Sequence, residues 1–124
     1  MQLSEKQILE KLPDYEDFMG LTEEIENISF EKTKLDITIK TLEVEIVRKV
    51  TTLPEYFQAG KVPSMSFIES TYKYAGINGE LVPMRTKLAE LTSLLEKLKM
   101  QMDVFNTFVD IWRTLSSNSR KANL

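Results

Sequence analysis

The chain has 124 residues, 42% apolar and 28% charged, with a formal net charge of -3. This is the composition of one ordinary soluble domain. It contains no cysteine and no histidine, which excludes disulfides and thiolate or imidazole metal sites and removes the commonest general base. No apolar run approaches the about 18 residues of a membrane span, and Met1 to Glu10 lacks the basic and apolar regions of a signal peptide.

In chain order, Ser4-Glu5-Lys6-Gln7 has capping-box form and opens a short helix through Lys11, closed by Pro13. Asp14 to Met19 is expected to add a turn before Gly20, and Thr22 is the expected N-cap of a long helix over 21–53. A 3-4 seam runs through it: Leu21, Ile25, Ile28, Lys32, Leu35, Ile39, Leu42 and Ile46. Lys32 on that seam either sets register or packs its stem while its ammonium reaches water. On the opposite side Phe30, Ile37 and Val44 recur every seven residues. A helix apolar on two sides needs two partners, which predicts a homo-oligomer. Residues 34–52 also alternate like a strand. The stretch is far longer than a usual strand and has no turn residues, and the seam continues upstream, so helix is the expected state.

Pro54 disfavours helix at the residue before it and ends the long helix. Residues 54–82 form an irregular linker. Pro54 to Phe57 suits one helical turn and Gly60-Lys61-Val62-Pro63 suits a turn. Ser66-Phe67-Ile68-Glu69 is a second capping-box pattern, opening a short helix to about Ala75, with Gly76 at its C′ position and a break at Asn78-Gly79. The last long helix is expected over 83–116, with Pro83 in its first turn and a fraying polar tail from Ser116. Its seam is Leu88, Leu91, Leu95, Leu98, Met102, Phe105, Val109 and Trp112. Past Met102 a second stripe, Val104, Phe108, Ile111 and Leu115, widens the apolar arc to roughly 160°. Met84, Met100 and Met102 read as core or near-core fillers. The expected fold is all-α: a long antiparallel helical hairpin with short helical pieces, one domain over 1–124, assembling as an oligomer through Phe30, Ile37, Val44, Val104, Phe108, Ile111 and Leu115.

Charge is segregated. Residues 1–31 hold nine acids and two bases, whereas residues 32–124 hold ten acids and fourteen bases. Such a split suits a basic surface for a polyanion with an acidic segment, residues 1–20, that competes for it. It also suits acids crowding two helix starts, where the macrodipole favours them. The glycines, Gly20, Gly60, Gly76 and Gly79, form no phosphate loop, and no carboxylate pair stands out by spacing. No enzyme, cofactor or metal is expected. Cations and rings meet around the linker: Arg48, Lys49, Tyr56, Phe57, Lys61, Phe67, Tyr72, Lys73 and Tyr74. Single-stranded nucleic acid asks for this combination, since cations neutralise phosphates and rings stack on bases. Helix-end cations and rings that close a hairpin core account for the same residues.

One family shares this order of features. A long helix ends in the bases Arg48 and Lys49. The aromatic pair and turn Tyr56-Phe57-Gln58-Ala59-Gly60-Lys61 follow. A linker leads to a helix carrying Lys99 to Trp112 and ending in Ser116 to Arg120. Over roughly residues 45–121 the chain resembles the UvsY-type recombination mediators of tailed phages. The resemblance implies a cytoplasmic, ring-like helical oligomer that binds single-stranded DNA and helps load a recombinase onto covered strands. It assigns Arg48, Lys49, Tyr56, Phe57 and Lys61 to DNA, and Lys73 joins them by its place in the linker. Two other classes remain open. One is an oligomeric helical scaffold or chaperone-like module, although the linker lacks the alternating strands of prefoldin-like chaperones. The other is an inhibitor acting on a host enzyme through residues 1–31.

Overall fold

The computed structural model describes residues 4–122. They are helical almost throughout: α1 (Glu5–Lys11), α2 (Tyr15–Thr52), α3 (Met65–Ile68) and α4 (Leu81–Ala122), with short 3₁₀ turns at Pro54–Tyr56 and Ile77–Gly79. Among the described residues there is no strand, only one isolated bridge between Gln58 and Lys61. The chain falls into two compact units. One comprises the residues up to Ile28 together with those from Leu94 onward, and the other comprises Ser29–Ser93. No helix among the described residues is long and apolar enough to cross a membrane.

In the first unit, the capping box at Ser4 forms as its pattern predicts. The Gln7 amide donates to Ser4 Oγ at 3.2 Å and the Ser4 amide to Gln7 Oε1 at 2.9 Å. The start of α2 corrects the prediction. The helix begins at Tyr15, not near Thr22, because Asp14 and Asp17 cap it reciprocally at 2.8 and 3.0 Å. Gly20 therefore lies inside the helix, where it costs about 1 kcal/mol relative to alanine without breaking it. Ile8, Leu21, Leu95 and Leu98 are buried, and the Phe18 ring meets Phe105 edge-on at 5.6 Å. The far end of α4 also differs from expectation. Ser116 to Lys121 continue the helix instead of fraying, since extending a formed helix adds a hydrogen bond for each residue fixed. The Trp112 indole N–H is buried without an acceptor among the described residues.

In the second unit, residues 34–52 are helix, which settles the strand alternative. Ile39, Ile46 and Val50 are buried on the seam side with Ile68, Leu81 and Leu91. Lys32 is half-buried at its seam position. Phe30, Ile37 and Val44 stand out of the fold at 70%, 59% and 70% exposure. In the first unit, Val104 and Ile111 are likewise exposed, while Phe108 and Leu115 are half-buried. Met84 and Met102 are half-buried, but Met100 is exposed and so is not a core filler.

The linker holds a second correction. Its short helix is capped by Ser64, whose Oγ accepts from the Phe67 amide at 3.2 Å, and not by Ser66. Ser64 keeps an extended backbone (φ -66°, ψ 156°, close to the φ -73°, ψ 161° of Ser4 at α1's cap), the conformation an N-cap needs. Ser66 is already helical, so its hydroxyl is no longer placed to cap. One wide π-type turn, Glu69–Lys73, follows before Gly76 reverses the chain at φ +83°.

Candidate nucleic-acid interface

All six residues assigned to DNA lie in the second unit. Arg48 and Lys49 are exposed near the end of α2, Lys49 in its last turn. Hydroxyls tie that turn down: Thr51 Oγ1 donates to the Val47 carbonyl at 2.7 Å and Thr52 Oγ1 to the Arg48 carbonyl at 2.5 Å. Leu53 then turns extended ahead of Pro54 (φ -90°, ψ 122°), as an X-Pro pair requires. After the 3₁₀ turn, Gln58 and Lys61 exchange both backbone hydrogen bonds, at 2.8 and 2.9 Å. Ala59 and Gly60 between them have φ of 51° and 76°. Positive φ at both central residues is the mark of a type I′ hairpin turn. The turn holds Lys61 exposed, four positions after Phe57.

The aromatic pair is less available than its spacing suggests. Tyr56 and Phe57 are both half-buried. The Tyr56 ring meets Tyr72 edge-on at 6.2 Å, and Phe67 meets the same ring at 6.0 Å. The three rings form a small cluster that anchors the linker. Tyr74 is the exposed ring here, at 68%, with the Arg85 guanidinium 4.9 Å from its centroid.

Sequence reasoning missed Arg85. Its Nε donates to the Tyr74 carbonyl at 2.7 Å and one terminal nitrogen to the Lys73 carbonyl at 2.9 Å. That nitrogen also pairs with the Glu43 carboxylate, and both side chains are only 23% exposed. Arg85 thus joins α4, the end of the linker and α2. Its partner in sequence is 42 positions away, so no local pattern could announce it. The clamp leaves Lys73 exposed beside a shallow apolar groove of about 240 Å³ lined also by Glu43, Val44 and Val47.

The arrangement brings Lys73 against α2 one turn before Arg48 and Lys49, and Tyr72, its neighbour, against Tyr56. None of Arg48, Lys49, Lys61 and Lys73 takes part in an ion pair among the described residues. The unit as a whole holds nine bases and eight acids, so any pull on a polyanion comes from these local cations. Among the described residues no cluster of acids is placed to hold a metal ion. Comparison of the chain with family models, curated proteins and solved structures finds no match.

Proposed function

We propose that the protein is a non-catalytic, single-stranded-DNA-binding recombination accessory of the mediator kind. It works as a homo-oligomer of antiparallel helical hairpins in the cytoplasm, the host's if it is viral, and its other partners are recombination proteins. The observation that carries this reading is the group of four exposed cations without an ion-pair partner among the described residues, Arg48, Lys49, Lys61 and Lys73, set around an aromatic linker. Cations held this way track phosphates without reading sequence, and their binding weakens as salt rises. Stacking falls to exposed Tyr74 more than to Tyr56, whose ring is engaged with Tyr72.

Fluorescence anisotropy with a labelled oligonucleotide tests the reading at about 50 mM salt, where phosphate contacts are strong. Binding is expected, with the triple change Arg48→Glu, Lys49→Glu, Lys61→Glu weakening it at least ten-fold while helicity is kept. No binding by the parent protein would sink the reading. A second reading, an oligomeric scaffold that binds protein and no nucleic acid, is favoured by the closed Tyr56–Tyr72–Phe67 cluster and by the exposed stripe Phe30, Ile37, Val44. Under it, charge reversal leaves assembly and partner binding intact.

A further inference from the structure

The exposed face of α2 in the second unit is a palindrome. Reading outward from Ile37, lysines stand three residues away on both sides (Lys34, Lys40), threonines four away (Thr33, Thr41), and large apolar residues seven away (Phe30, Val44). All seven are exposed. At about 100° per residue, Phe30, Ile37 and Val44 lie within about 20° of one line along the helix, and the threonines and lysines border it. The Thr41 hydroxyl donates back to the Ile37 carbonyl at 2.9 Å, which spends its polar atom and leaves its methyl for the face.

A two-fold dimer contact requires a patch complementary to itself. A face that reads the same in both directions sets apolar against apolar and threonine against threonine when two copies run antiparallel, with the lysines kept to its borders. The geometry points to a second copy of this chain as the occupant of this face, with α2 packed antiparallel on α2 and Ile37 on the two-fold axis. This rests on the homo-oligomer reading above and adds the orientation and register. Phe30 of one copy then lies against Val44 of the other, at the rim of the groove lined by Glu43, Val44, Val47 and Lys73, which gives the ring a recess. The antiparallel register sets Lys40 of one copy level with Lys34 of the other, and an acid offsets these like charges: Lys40 is paired with Asp36 at 3.0 Å within its own helix, and the same register sets each Lys40 beside the Asp36 of the other copy.

The chain has no cysteine, so each introduced one is unique. A disulfide needs Cα atoms closer than about 7 Å, a separation reached across the axis only at Ile37. Phe30 and its own copy would lie about 21 Å apart along the helices at 1.5 Å per residue. Full-length Ile37→Cys is expected to form a disulfide dimer under mild oxidation. Phe30→Cys alone and Val44→Cys alone should give at least ten-fold less, and a mixture of those two, one carrying a mass tag, should give the mixed dimer. Ile37→Glu should lower the mass seen by light scattering, with helicity unchanged by circular dichroism. Phe30→Cys cross-linking to itself as readily as Ile37→Cys overturns the antiparallel register. So does the absence of every cross-link at concentrations where light scattering shows assembly. If the parent protein does not assemble at all, the homo-oligomer reading falls together with this one. DNA binding is scored separately by anisotropy.

Discussion

In the first unit the Phe18 ring meets Phe105 edge-on, over buried Leu21, Leu95 and Leu98. In the second unit a guanidinium, Arg85, joins two helices and a linker through Glu43 and the carbonyls of Lys73 and Tyr74. The difference follows from what each unit must cover. The first is almost all regular helix, and its break between α1 and α2 is closed by the local caps at Asp14 and Asp17, so hydrocarbon contact suffices for the rest. The second must also fix residues 53–80, and carbonyls released where a helix gives way to a turn need donors. An arginine brings five donors in a fixed fork, and here three of its contacts define where the linker ends. Apolar packing tolerates small shifts, whereas a part-buried charge pair is strongly destabilising when one member is removed.

The largest effect should come from the core of the second unit. Leu81 is fully buried, and Leu81→Ala should cost about 3 kcal/mol in denaturant melts. The same change at exposed Leu94 (37%) should cost well under half of that, which separates buried from surface leucine on one helix. Next, Arg85→Met should cost about 2–3 kcal/mol by leaving Glu43 unpaired, and the double change Glu43→Leu, Arg85→Met should recover much of it. Hydrogen exchange should report the single loss at the Gly76 and Leu81 amides, which bond to Tyr72 and Ala75 at 2.7 and 2.9 Å. If the first unit loses protection equally, the two units do not differ as described. The smallest effect is a gain. Ala59 holds φ 51° in a type I′ turn, where asparagine is preferred, so Ala59→Asn should raise stability by about 0.5 kcal/mol in the same melts.

Much of this fold is legible in periodicity. The seam of α2 turns inward at Ile39 and Ile46, and that of α4 at Leu91, Leu95 and Leu98. Local punctuation is read less well where two signals compete. Asp14-x-x-Asp17 and Thr22 both suit a helix start, and the earlier box wins because one glycine does not stop a helix whose seam already packs. Ser66 has the stronger sequence pattern, yet Ser64 has the extended backbone and takes the cap. At the candidate interface, the exposure of Arg48, Lys49, Lys61 and Lys73 agrees with their pattern. The engagement of Tyr56 does not follow from it, because ring spacing is the same for stacking on a base and for packing on Tyr72. Arg85 was beyond reach because its partners are distant along the chain.

Gly76 has a consequence for how this chain can diverge. A Cβ there would stand 2.9 Å from Glu80 Cδ and 3.2 Å from Leu81 Cγ, and the backbone has φ +83°. Glu80 can swing aside, but Leu81 has nowhere to retreat. Gly20, inside α2 with nothing within 4 Å of where a Cβ would stand, has room for the side chain of a helix-forming residue. Drifting descendants are thus free to shed the first glycine while holding the second. In distant kin whose leucines and isoleucines have traded places, that one retained residue, followed five positions on by a fully enclosed aliphatic, is the landmark from which an alignment can be started.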